Sequence, residues 1–216
     1  MLQAFLQGAR ELIFPDNCLL CRQFLNSRHQ RQLCAKCLGS LVFNPAPFAL
    51  DQVWPTCLYN ETAQKLLHAF KYNSKTSLSK TMVHLMIDFI DRHHIPLQKF
   101  DLISPIPLHP VRRRERGYNQ SALLSLGLSR HYGVPHSENL LIRQKMTSTQ
   151  TELGAKQRWT NMEGAFRIQN PTDVEGKSIV LIDDLYTTGA TVHSAAETLK
   201  AAGAARVGVL TFSVTV

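Results

Sequence analysis

Two adjacent carboxylates followed by a run of small, hydroxylated residues carry the most specific chemistry in this chain. Asp183 and Asp184 follow Ser178-Ile-Val-Leu-Ile182 and precede Leu185-Tyr-Thr-Thr-Gly-Ala-Thr191. The run 178–182 is apolar and β-branched without alternation, which predicts a strand buried on both faces of a parallel sheet, with the acids at its carboxyl end. Ligands of open α/β sheets bind at that end. Thr187, Thr188, Gly189, Ala190 and Thr191 are small enough for successive N–H groups to converge on one anion at the start of the next helix, and a phosphate is the natural guest. Carboxylates cannot ligate a phosphate, so Asp183 and Asp184 would hold hydroxyls or a hydrated Mg²⁺ beside it. A 5-phosphoribosyl group presents that combination: a phosphate at one end and a vicinal diol at the other. The bland alternative is an ordinary strand-to-helix turn with solvated acids and a Thr-rich cap.

A second anion-seeking stretch is Leu108-His-Pro-Val-Arg-Arg-Arg-Glu-Arg-Gly-Tyr-Asn-Gln120, which follows the strand predicted over 101–107. Four arginines in five positions (112, 113, 114 and 116) repel one another unless a polyanion sits near, and the guanidinium fork suits phosphate oxygens. A solvated basic loop is the competing reading. Lys71, in Ala-Phe-Lys-Tyr72, is balanced between a phosphate or base contact and a snorkelling surface lysine.

The third cluster is Cys18-x2-Cys21, twelve residues, then Cys34-x2-Cys37. Paired spacing of this kind supplies four thiolates to a tetrahedral Zn²⁺, and four sulfurs leave no open position, so the metal is structural. A segment this small has no adequate core, and the metal would supply its folding free energy. Cys57, standing alone, reads as a core residue. His29 is a spare ligand that a closed site does not need, and Arg22, Arg28, Arg31 and Lys36 make the module basic.

The elements that position these groups follow from periodicity. A short amphipathic helix is expected over 1–14, the zinc module to residue 44, a proline-rich linker over 45–58, and one α/β domain over 59–216. Helical stripes run through Leu66, Leu67 and Phe70, and through Met82, Leu85, Met86, Phe89 and Ile90. Asn119 can cap a helix that ends near Gly133, and Val192, Ala195, Ala196 and Leu199 line another that ends before Gly203. The polar segment 144–163 has the length of a lid, in which Lys145, Lys156, Arg158 and Trp159 could reach an anion or a base. A last strand is expected from Arg206 to Val216.

A formal charge of +8 at pH 7 and a pI near 9.4 favour polyanionic partners, nucleic acid or a polyphosphorylated small molecule. No run approaches the roughly 18–20 apolar residues of a membrane span. The first ten residues lack the pattern of a signal peptide, so a cytoplasmic protein with reduced thiols and no membrane insertion is expected.

Asp183-Asp-Leu-Tyr-Thr-Thr-Gly-Ala-Thr191 resembles the loop that binds 5-phosphoribosyl 1-pyrophosphate (PRPP) in type I phosphoribosyltransferases. The Arg112 to Arg116 stretch looks like the pyrophosphate loop of the same superfamily. The order of the four-cysteine module, Pro105-Ile-Pro-Leu-His109, Arg112-Arg-Arg-Glu-Arg-Gly-Tyr-Asn-Gln120, Gln150-Thr-Glu-Leu153, Asn161-Met-Glu-Gly-Ala-Phe166 and the Asp183 stretch is similar to the ComF family, with which GntX-like proteins share their architecture. The likeness spans nearly the whole chain. It implies an open, mostly parallel sheet with helices on both faces, and a role in handling single-stranded DNA during natural transformation, alongside other DNA-uptake proteins.

By the same resemblance, Asp183 and Asp184 would hold the ribose hydroxyls and be the catalytic candidates. Tyr186, Thr187, Thr188, Gly189, Ala190 and Thr191 would surround the 5′-phosphate. His109, Arg112, Arg113 and Arg116 would meet the pyrophosphate with its Mg²⁺. Position 183 is often glutamate in base-specific members, and many members recognise their base with residues after the last strand, so base recognition is expected here from the N-terminal half, from a partner, or not at all. Two readings of different class therefore stand: a PRPP-binding module that handles DNA, and an active transferase acting on an unidentified nitrogenous acceptor.

Overall fold

Alternate residues of the apolar run at 178–182 enter two different cores. Ile179 and Leu181 pack in one cluster, Val180 and Ile182 in the other, as a strand of period two requires when both of its faces are covered. The computed structural model describes residues 17–25, 32–45, 52–72, 76–145, 162 and 164–215. The helix expected over 1–14, Arg28, His29, Arg31 and most of the lid segment, with Lys156, Arg158 and Trp159, lie outside the described residues.

In chain order the elements are α1 (Ala35–Gly39), β1 (Val53–Leu58), α2 (Glu61–Tyr72), α3 (Leu78–Arg92), β2 (Leu102–Pro105), α4 (Pro110–Arg116), α5 (Gln120–Tyr132), β3 (Leu141–Arg143), β4 (Phe166–Ile168), β5 (Ser178–Tyr186), α6 (Ala190–Ala201) and β6 (Arg206–Val214). Strands β1, β6, β5 and β2 form, in that order, one sheet in which every neighbouring pair is parallel. Leu66, Leu67 and Phe70 of α2, Met82, Leu85 and Met86 of α3, and Leu124 and Leu128 of α5 cover one face together with Leu210 and Phe212 of β6. Val192, Ala195 and Leu199 of α6 cover the other with Val207 and Val209. Each fully buried Leu or Phe contributes about 1.5–3 kcal/mol, which offsets the entropy of ordering these long crossovers. Helix α3 approaches α5 at Gly127, where a Cβ would stand 2.6 Å from Val83 Cγ2; only glycine allows that spacing.

Three local expectations are corrected. Strand β5 does not end before the acids but runs through them to Tyr186, because Asp183, Leu185 and Tyr186 keep their register with Thr211, Ser213 and Val214 of β6. The arginine stretch is a short helix, α4, rather than a loop: Pro110 stands in its first turn, the His109 side chain accepts from Val111 N, and Gly117 ends it at φ +77°. Residues 53–58, inside the expected linker, form β1, an outer strand of the sheet where Pro55 is tolerated.

The cysteine module is built onto that outer strand. Leu58 N donates to Val42 O at 2.8 Å and Asn44 N to Thr56 O at 3.0 Å, so residues 42–44 cover the free side of β1. Asn60 caps α2 by accepting from Ala63 N at 2.9 Å, and its amide donates to Ser40 O at 2.8 Å. Cys18, Leu25, Leu33, Cys34 and Leu41 share the core of α2 and α3. Among the described residues no helix is long and apolar enough to cross a membrane.

Candidate functional site

The carboxylates of Asp183 and Asp184 belong to consecutive strand residues, and each is held by a different helix. Asp183 Oδ1 accepts from Ser121 Oγ in the first turn of α5 and from the Asp184 amide, both at 2.9 Å. Asp184 Oδ2 lies 2.8 Å from Lys71 Nζ, delivered from the last turn of α2. Burial and then the Asp184 charge raise Asp183 to about 7, against the pull of the Asp184 amide, Lys71 and Ser121. Burial opposes the Lys71 ammonium, but the Asp184 carboxylate outweighs it and Lys71 stays above its ordinary value.

Beyond the acids, Thr187 is exposed, Thr188 and Thr191 are half-buried, and Gly189 and Ala190 are buried where α6 begins. Gly189 has φ +77°, and a Cβ there would run into the Tyr186 hydroxyl and stand 2.8 Å from its ring carbon Cζ. A larger residue at this turn would be strained by the positive φ and would have to displace the Tyr186 ring. The first-turn N–H groups of α6 have no partner inside the helix and carry its positive end, which suits an anion at this turn.

The arginines do not converge on one point. Arg112 Nη1 pairs with Glu115 Oε2 at 3.0 Å and Arg113 Nη2 with Glu138 Oε1 at 3.0 Å. Arg116 turns to Gln120 Oε1 at 3.2 Å and lies over the Tyr72 ring at 5.4 Å from its centroid. A helix fans its side chains by about 100° per residue, and two of these charges find acids of their own chain. Between α4 and β3 opens a cavity of about 520 Å³, lined by Arg113, Arg114, Asn119, Glu138 and Arg143 among others. Burial lowers the Arg143 guanidinium below its ordinary range while the Asp183 charge pulls it up, so Arg143 connects this cavity to the acids.

Lys71, Ser121 and Arg143 complete the site. Lys71 was one of two readings from sequence; Ser121 and Arg143 were missed. A serine soon after the Asn119 cap and an arginine ending a short apolar run are common, and neither pattern says what lies across the sheet. Lys145 and Gln144 continue from β3, and Gln144 N donates to Ala165 O at 2.9 Å, so the two ends of the expected lid segment are paired.

The sulfurs of Cys18, Cys21, Cys34 and Cys37 all lie within 4.8 Å of one another. Tetrahedral zinc with bonds of about 2.3 Å sets sulfur separations of about 3.8 Å, so the cluster is compatible with a structural zinc. Burial opposes a charge on Cys18, but the backbone amides of Cys21, Cys34 and Leu20 outweigh it and bring the thiol down to about 6. Leu19 N donates to Gln32 O at 3.0 Å and joins the two knuckles. Cys57 is a core thiol, buried and donating to Phe212 O at 3.2 Å, and burial pushes it up to about 12.

Residues 136–213 match the phosphoribosyl transferase domain family. The chain is 32% identical over 193 residues to the DNA utilization protein YhgH of Salmonella typhimurium, covering 88% of this chain and 82% of that protein. It is 33% identical over 150 residues to competence protein F of Haemophilus influenzae, covering 67% and 65% of the two chains. A solved glutamine PRPP amidotransferase of B. subtilis, complexed with ADP and GMP, superposes with TM-score 0.45 at 18% identity, covering 67% of this chain and 30% of that one. Sequence identity at this level along most of both chains places the protein in the ComF family of competence and DNA utilization proteins, in which a four-cysteine module is joined to a type I phosphoribosyltransferase fold.

Proposed function

We propose that this protein is a cytoplasmic, PRPP-binding member of its family that handles single-stranded DNA. The observation that carries the ligand reading is the placement of Asp183 and Asp184 within one strand turn of the Thr187 to Thr191 helix start, hydroxyl acceptors beside a phosphate cradle. In this reading the diol of PRPP lies on the acids, the 5′-phosphate on residues 187–191, and the pyrophosphate toward Arg113, Arg114 and Arg143. Mg²⁺ would travel with the pyrophosphate, whose charge it neutralises. The names of the relatives support the DNA role, as does the +8 charge. One Zn²⁺ on Cys18, Cys21, Cys34 and Cys37 would hold the basic module in shape. Calorimetry with PRPP, with and without Mg²⁺, tests the ligand reading: the Asp183→Ala, Asp184→Ala double variant should bind at least about tenfold more weakly, and equal binding rejects the site.

A transfer reaction is the second reading, favoured by Asp183 standing near 7 in the folded chain. Such a group can take the proton of a nitrogen nucleophile as its N–C1 bond forms and the C1–O bond to pyrophosphate breaks. Release of pyrophosphate from PRPP in the presence of a nitrogenous acceptor separates this reading from simple binding.

A further inference from the structure

We propose that the Lys71 ammonium serves the Asp183–Asp184 pair in place of a divalent metal ion, so that this site takes the vicinal diol of a pentose 5-phosphate without Mg²⁺. The inference rests on the reading of residues 183–191 as a diol and phosphate site, and adds what neutralises the acids.

Two adjacent carboxylates in a half-buried site need a cation, and oxygen donors of this kind suit a hard metal. Here the cation is built in. Lys71 Nζ stands 2.8 Å from Asp184 Oδ2, with the two side chains 20% and 10% exposed. Its backbone is anchored: Leu66, Leu67 and Phe70 of α2 are buried in the core, and the Tyr118 hydroxyl donates to Phe70 O next to Lys71. The second acid is already engaged by Ser121 and by the Asp184 amide.

The charge count runs the same way. Arg116 lies close enough to Lys71 to oppose its charge, and Arg143 close enough to Asp183 to feel it. Lys71 on Asp184 and Arg143 near Asp183 thus balance the two carboxylates, and the raised value of Asp183 reduces the negative charge further near neutrality. A metal ion placed on the acids would add two positive charges to a site whose carboxylates are already balanced, and would compete with Lys71 for Asp184. A diol brings no charge: its hydroxyls donate to carboxylate oxygens that Lys71 and Ser121 hold in place. Any Mg²⁺ requirement then belongs to a ligand's pyrophosphate and not to its sugar.

Ribose 5-phosphate, which has the diol and the phosphate but no pyrophosphate, isolates this question. Calorimetry on the full chain would compare its Kd in excess EDTA and in excess Mg²⁺, with 2-deoxyribose 5-phosphate as the ligand lacking the diol. The wild-type Kd should agree within about twofold between the two conditions. Lys71→Met should lose about tenfold or more in EDTA and regain affinity when Mg²⁺ is added, as expected when a charged hydrogen-bonding partner is removed. Lys71→Arg should keep metal-free binding. Binding by the wild type only with Mg²⁺, or by Lys71→Met in EDTA as tightly as by the wild type, overturns the proposal while leaving the site standing. Binding in neither condition removes the site itself. If Lys71→Met does not fold, as judged by its thermal transition, the wild-type comparison and Lys71→Arg still decide.

Discussion

Ser121 Oγ donates to Asp183 Oδ1 across 2.9 Å, and the bond crosses from the start of α5 to the end of β5. Beside it Asn119 accepts from Ser121 N at 3.2 Å and donates from its amide to Ile106 O at 3.0 Å. The cap Asn119 and the first-turn Ser121 therefore tie the exit of β2, the entry of α5 and the acid of β5 into one unit. The residue that the cap holds by its N–H is the one whose hydroxyl orients the carboxylate.

Asp183 should leave a signature in the pH dependence of stability. In the folded chain its carboxyl is raised from 3.8 to about 7. Between those values the folded state binds a proton that the unfolded state has lost, so this group's contribution falls as pH rises through the window and is most unfavourable above about 7. Asp183→Asn should gain roughly 1–3 kcal/mol at pH 8 and little at pH 4, measured by urea denaturation. Ser121→Ala should push the midpoint of Asp183 titration further up, because the lost hydroxyl favoured the charged form.

Gly189→Ala is expected to cost about 1–2 kcal/mol, since φ +77° disfavours a Cβ that also meets Tyr186. Affinity for a phosphorylated ligand should drop as well, about tenfold, because the N–H groups at the turn would be re-aimed. Gly189→Ala, Tyr186→Ala should recover part of the stability, and a thermal scan paired with calorimetry separates the two effects.

Purified protein should carry one equivalent of zinc by elemental analysis. Cys34→Ser should lose it and lower the thermal midpoint, because Cys34 is both a member of the cluster and the cap that accepts from Cys37 N at 3.4 Å. Cys57→Ser should retain the metal. Stoichiometry that survives Cys34→Ser would contradict this assignment.

Single-stranded DNA should bind with a log–log salt slope of about −0.7 for each phosphate neutralised. Arg22 and Lys36 are exposed on the cysteine module, and Phe24 beside them is 60% exposed, a surface on which a base could stack. Arg22→Glu with Lys36→Glu should flatten the slope by one to two contacts while sparing ribose 5-phosphate. Changes at Arg113 and Arg114, by contrast, should weaken both DNA and PRPP. A slope near zero would remove DNA from the account.

What was legible in the sequence was what neighbours in the chain decide. The β5 run, the turn at residues 187–191, the Asn119 cap and the cysteine spacing all appear where local pattern put them. The far end of β5 was hidden because Asp183 and Asp184 interrupt the apolar run, while its length is set by a partner strand almost thirty residues on. Strand β1 was hidden by prolines that an outer strand tolerates. The α4 helix does carry start and stop signals in His109-Pro110 and Gly117, set around a run of arginines whose charge is the stronger pattern. Lys71, Ser121 and Arg143 reach the site from α2, α5 and β3, and only the packing of those elements makes them neighbours.

Strand β6 is the last of the described strands in chain order, yet it lies between β1 and β5 and pairs with both. During synthesis the cysteine module, β1 and the whole acid-bearing half of the sheet emerge before the strand that joins them. Val53 waits for Val209, and Ser178 for Arg206. Until then two open strand edges face the cell, and the sheet can close only by insertion at its centre, a late event with the slow kinetics of non-local pairing. The order of translation thus makes β6 a keystone: a chain cut short before Arg206 would keep every residue of the acid site and lose the strand that pairs β1 with β5, leaving only helix packing to join the two sides of the sheet.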